Sequence, residues 1–175
     1  LGKSAHRLSI DIDLICPPGT NIEDYLKSFA DFGFINLELV ERKQRDDADI
    51  PKSHSKFFYQ IAYRNDTDAQ SYILLDVLYE DIHYFRTQQI AINCPFIRLE
   101  GKPLMVTVPS AEDILGDKLT AFAPNTTGIP YYRNGRSCSM EIAKQLYDVG
   151  RLFENVSDLQ ITKEAFRKIA VVELS

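Results

Sequence analysis

The chain has 175 residues, 45% apolar and 26% charged, with a net charge of −5. This composition suits one globular domain, or one domain with a helical appendage, and the chain is long enough to bury a core. It excludes a helical membrane span, because no run of eighteen apolar residues occurs, and it argues against a broad nucleic-acid-binding surface. Cys16, Cys94 and Cys138 have no metal-ligand spacing among themselves or with His6, His54 and His83, so they read as reduced thiols of a cytoplasmic protein.

The chain begins at Leu1 without an initiator Met or a leader-like segment and enters a strand almost at once, so further residues are expected upstream. Apolar and polar residues alternate from Leu8 to Ile15. A strand sends alternate side chains to opposite faces, which puts Leu8, Ile10, Ile12 and Leu14 on one and Ser9, Asp11 and Asp13 on the other. The two carboxylates then lie about 6.5–7 Å apart at Cα. They repel each other unless a cation such as Mg²⁺ or Mn²⁺ sits between them. A lone D-x-D is weak, however, and a solvated acidic strand face explains it as simply.

Residues 17–21 read as a loop, with Thr20 or Asn21 capping a helix that runs to about Asp31 and stops at Gly33. Phe34 to Arg42 reads as a strand and residues 43–54 as an exposed charged loop. Lys56 to Arg64 and Ser71 to Glu80 form a hairpin joined by the turn residues Asn65-Asp66-Thr67-Asp68. Two or three short strands are expected over 88–108, then a helix capped by Ser110 that continues to about Phe122. Pro124 to Arg136 reads as a long loop, and helices follow over Ser139 to Glu154 and Thr162 to Leu174. Strands followed by helices indicate α+β, with a mixed or antiparallel sheet core over 1–109, cut short at its start, and a helical part over 110–175.

Three further residues bear on the D-x-D strand. Asp76 interrupts the apolar run Tyr72 to Leu78 and shares a face with Leu74 and Leu78. Charges are rarely buried unless paired or metal-bound, so Asp76 is either a carboxylate paired with an Arg or Lys, or a third ligand opposite the D-x-D in a two-metal site. Lys118 lies near the apolar stripe of Ile114, Leu115, Ala121 and Phe122, where it either reaches a phosphate or extends to solvent. Asp148 follows a stripe of Leu146, Val149 and Phe153 and reads equally well as a surface charge.

Taken together, these segments resemble a known family. His6-Arg7-Leu8-Ser9-Ile10-Asp11-Ile12-Asp13-Leu14 is similar to the R-x-S-x-D-x-D-L signature of abortive-infection nucleotidyltransferases of the AbiEii/AbiGii type. Leu75-Asp76-Val77 resembles their third acidic position, Asp113 to Ala121 their E-K-x-x-A helix, and Lys144 to Val149 their K-D-L-Y-D-L helix. Gln145 stands where that family usually has Asp, Asp117 where Glu is common, and no Gly-Gly or Gly-Ser turn precedes Arg7.

The resemblance implies a nucleotidyltransferase fold whose mixed sheet carries an acidic triad. It implies a toxin of a toxin–antitoxin or phage-defence system, with a nucleoside triphosphate as donor, tRNA or another RNA as a possible acceptor, and a cognate antitoxin as partner. By position, Asp11, Asp13 and Asp76 would hold Mg²⁺ or Mn²⁺, and Asp76 would help activate the acceptor hydroxyl. Ser9, Arg7 and Lys118 would bind the phosphates, and Asp148 would support the site. In-line attack at a phosphorus needs positioning and charge neutralisation rather than a histidine base, which these residues suit. The alternatives are a non-catalytic binding or regulatory module of the same fold, and a nuclease or D-x-D glycosyltransferase. The last two leave Asp76 with Lys118 unexplained, or lack a D…E-x-K strand.

Overall fold

A computed structural model describes residues 9, 11–40, 52–61, 70–93, 96, 98–122 and 128–174. The chain divides into two compact units, Arg7–Ile82 and a second that includes His83–Ser175.

The first unit is built on a four-stranded sheet in the order β1-β4-β3-β2, from β1 (Asp11–Cys16), β2 (Asn36–Val40), β3 (Lys52–Gln60) and β4 (Gln70–Tyr79). β1 runs parallel to β4, while β3 is antiparallel to both β2 and β4, so the sheet is mixed. One face is the core face. Leu75 and Val77 of β4 are buried there with Leu26, and Cys16, Leu37, Phe57 and Tyr79 pack around them. Ile12 and Leu14 lie on the same face by register, opposite Leu75 and Val77, but remain 50% and 39% exposed because β1 is the edge strand.

Two expectations fail in this unit. The helix expected up to Asp31 is only α1 (Glu23–Leu26), followed by a 3-10 turn over Phe29–Phe32 that ends at Gly33 with φ 85°. Leu26 is its single buried side chain, whereas Tyr25 and Phe32 are mostly exposed, so little apolar face is available to hold a longer helix. β3 begins four residues earlier than Lys56, which places His54 inside a strand rather than in a loop. The expected turn at 65–68 and most of the 43–54 loop lie outside the described residues.

The second unit begins with an antiparallel pair, β5 (Thr87–Ala91) and β6 (Met105–Pro109). Ser110 then caps α2 (Ala111–Ala121), its Oγ accepting from Asp113 N–H as the sequence leads one to expect. The stretch expected as a loop contains a tight hairpin, β7 (Tyr132–Arg133) and β8 (Arg136–Ser137). Asn134 and Gly135 both take positive φ, 53° and 77°, the signature of a type I′ turn. α3 (Ser139–Phe153) and α4 (Leu159–Leu174) complete the unit, and α2 packs on both. Gly116 is what allows α2 to meet α4 closely, since a Cβ there would lie 2.6 Å from Ala165 Cβ and 2.8 Å from the Phe166 nitrogen. Among the described residues no helix is long and apolar enough to cross a membrane.

Candidate active site

The sheet of the first unit gathers three of the expected acidic residues on one face. In register, Asp13 of β1 stands opposite Asp76 of β4, and Asp11 opposite Leu74. Residues paired in register on adjacent strands point the same way, and strands lie about 4.8 Å apart, so Asp11, Asp13 and Asp76 share the face opposite the Leu75–Val77 core. Asp11 and Asp13 are exposed, and Ser9 Oγ donates to Asp11 Oδ1. Arg7 lies outside the described residues.

The partner of Asp76 is a histidine, not the Arg or Lys that its sequence context suggests. His54 of β3 stands in antiparallel register with Asp76, and its Nδ1 is in ion-pair contact with Asp76 Oδ1. His54 is only 9% exposed. Asp76 Oδ1 is itself shut off from solvent, and the contact with His54 falls outside hydrogen-bond geometry. His54 is thus a residue that sequence reasoning misses. Its signal is positional, because extending β3 back through Ser53 puts its side chain on the face of Lys56 and Phe58. Farther along that face, Lys56 lies 3.7 Å from Glu38 and 5.6 Å from the centre of the Tyr72 ring, which packs on Phe58.

In the second unit, Lys118 of α2 and Asp148 of α3 meet, with Nζ 3.7 Å from Oδ2. Asp148 is not a surface charge, since its side chain is only 16% exposed. The buried stripe of α3 differs accordingly from the expected one. Leu152 is fully buried and Cys138 caps the start of the same stripe, while Leu146 and Phe153 are more than half exposed. On α2 the buried positions are Leu115, Gly116 and Thr120 rather than a stripe through Phe122.

Two more carboxylates are buried at the start of α2, and both have structural partners. Asp113 accepts from the backbone N–H groups of Phe85 and Arg86 and from Ser110 Oγ. Glu112 accepts from the N–H and Oγ of Ser157 in the turn before α4. The Ser157 amide is the largest influence lowering the Glu112 pKa from 4.5 to about 2, with its own backbone N–H next and burial opposing them.

Whether the acidic face suits a divalent cation can be judged from its donors. Three carboxylates on one face form a hard oxygen set suited to Mg²⁺ or Mn²⁺. The buried Asp76 Oδ1 makes no hydrogen bond and meets His54 Nδ1, while the exposed remainder of the Asp76 side chain lies on the face it shares with Asp13. Among the described residues no group of three or more His, Cys, Asp or Glu side chains is placed to hold a metal ion. Mg²⁺ does not require one, as it commonly binds one or two carboxylates and completes its shell with water and substrate phosphates.

The first unit thus carries an acidic face from a D-x-D edge strand, and the helices of the second pair Lys118 with the half-buried Asp148. Residues 2–173 match the family described as nucleotidyl transferase AbiEii toxin, Type IV TA system. The chain belongs to that family, and it is a nucleotidyltransferase of the toxin type. Searches of curated proteins and of solved structures gave no match.

Proposed function

We propose that this nucleotidyltransferase transfers a nucleoside monophosphate from a nucleoside triphosphate to an RNA acceptor such as tRNA, in a reaction that depends on Mg²⁺ or Mn²⁺. The observation that carries the reading is the register that sets Asp13 beside Asp76 on the face that also bears Asp11. An acceptor hydroxyl oxygen attacks the α-phosphorus, the bond from that phosphorus to the β-bridging oxygen breaks, and pyrophosphate leaves. Asp11, Asp13 and Asp76 would hold the cation, and Asp76 helps remove the hydroxyl proton. When bound, the cation supplies charge neutralisation to the phosphate oxygens. Ser9, Arg7 and Lys118 contact the phosphates, and Asp148 holds the Lys118 ammonium in place. A cognate antitoxin would restrain the activity, as the type IV system named for the family suggests.

Support for an RNA acceptor comes from the β7–β8 hairpin. Arg133 and Arg136 stand directly opposite each other, a like-charge pairing that costs stability unless an anion lies across it. Tyr131 and Tyr132 beside them are 54% and 70% exposed, as side chains that stack on bases must be.

The test is label transfer from each α-labelled nucleoside triphosphate to total RNA with Mg²⁺ present. Transfer by the wild type is expected to fall by at least three orders of magnitude in Asp11→Ala/Asp13→Ala, roughly what loss of electrostatic stabilisation costs. Undiminished transfer by the double variant would sink the reading. Arg133→Ala/Arg136→Ala should raise KM for RNA while leaving KM for the nucleotide unchanged.

A further inference from the structure

We infer that His54 is a positioning residue for Asp76, fixing one carboxylate oxygen so that the remainder of the group is presented to a divalent cation. The inference rests on the metal reading of the acidic face given above, and it assigns His54 a role that no resemblance supplies. Four observations carry it. His54 stands opposite Asp76 in register, one strand over on the side away from β1. Its Nδ1 is in ion-pair contact with Asp76 Oδ1. His54 is 9% exposed, so the imidazole is confined where it meets the carboxylate. Asp76 Oδ1 takes no solvent, although the Asp76 side chain is 33% exposed, so that exposure falls on its other atoms.

Packing alone does not explain a histidine here. The sheet's buried apolar residues, Leu75 and Val77, lie on the opposite face, with Ser55 and Ser53 as their register partners on β3. An apolar residue at position 54 would fill the same space. It would also remove the Nδ1 contact from a solvent-shielded carboxylate oxygen, and a buried polar atom left without a polar neighbour is costly. The imidazole brings Nδ1 to Oδ1 from a short, two-torsion side chain that burial holds in place. A carboxylate held at one oxygen cannot swing, and its second oxygen then meets an incoming cation without further ordering. Removing a group that orients a metal ligand in this way typically costs roughly 10- to 100-fold in metal affinity.

The experiment titrates the full chain with MnCl₂, counting free Mn²⁺ by electron paramagnetic resonance and recording Tm for each variant. His54→Phe should bind Mn²⁺ roughly 10- to 100-fold more weakly than wild type. His54→Asn should recover most of the affinity, because its amide nitrogen falls near the place of Nδ1. His54→Gln, whose nitrogen falls nearer the place of Nε2, should behave like His54→Phe. Mn²⁺ bound to the wild type should show no directly coordinated ¹⁴N. Wild-type affinity in both His54→Phe and His54→Gln would overturn the inference and leave the metal reading standing. A coordinated ¹⁴N lost in His54→Phe would also overturn it, making His54 a ligand instead. If His54→Phe does not fold, equal affinity of the Asn and Gln variants overturns it. Failure of the wild type to bind Mn²⁺, or unchanged binding by Asp76→Asn, would overturn the metal reading and the inference together.

Discussion

At the scale of single residues, the acidic side chains of this protein divide by what faces them. Asp113 and Glu112 are buried at the start of α2 and are satisfied by backbone donors from Phe85, Arg86 and Ser157. They hold loops onto the helix, and the positive end of the helix dipole adds to their stability as anions. Asp76, by contrast, has a shielded oxygen that a histidine touches but does not complete. The Glu112 shift gives a prediction with a definite sign. Its folded pKa of about 2 lies below the unfolded value of 4.5, so its contribution to stability is present above pH 4.5 and is lost as pH falls through about 2. Urea unfolding across that window should show a shallower acid limb in Glu112→Gln than in wild type. An identical limb would contradict the account of the Ser157 contact. Asp113→Ala should cost more, about 2–5 kcal/mol, because it strands two backbone N–H groups.

At the scale of elements, α2 is set by what it packs against. Two atoms of the α4 backbone, Phe166 N and Thr162 O, lie 2.8 and 2.9 Å from where a Cβ of residue 116 would sit. Backbone cannot rotate away, so Gly116→Ala should destabilise despite the better helix propensity of alanine, with a net cost of about 1–3 kcal/mol. Gly150 on α3 has nothing within 4 Å of its Cβ position, so Gly150→Ala should stabilise by about 0.5–1 kcal/mol. Thermal unfolding should move Tm in opposite directions for the two variants, and a rise in both would contradict the close crossing. The same contrast explains what could be read in advance. The Ser110 cap and the alternation around Asp11 and Asp13 are local patterns, visible in a few adjacent residues. The α2 and α3 stripes are not, because α2 has neighbours on two sides and the α3 stripe runs through Gln145 and Asp148 instead of the more apolar Leu146 and Phe153. His54 was hidden for a related reason. The charged stretch before it reads as loop, and only long-range strand pairing brings it to Asp76.

At the scale of the whole molecule, membership of the AbiEii nucleotidyltransferase toxin family spans residues 2–173, so it covers both the acidic sheet and the helices that carry Lys118 and Asp148. The family resemblance carried by segments from His6 to Val149 is therefore matched over nearly the whole chain. The net charge of −5 leaves no broad basic surface, so the RNA acceptor proposed above would be engaged at a local patch such as the exposed tyrosines and arginines of the β7–β8 hairpin. The central claim is nucleotidyl transfer, and position of label tests it most directly. The protein is incubated with RNA, Mg²⁺ and a triphosphate labelled at either the α- or the γ-phosphorus. The account predicts that α-label enters RNA, that γ-label leaves as pyrophosphate, and that chelation of Mg²⁺ stops both. Entry of γ-label into RNA, or transfer of α-label undiminished by the chelator, would contradict it.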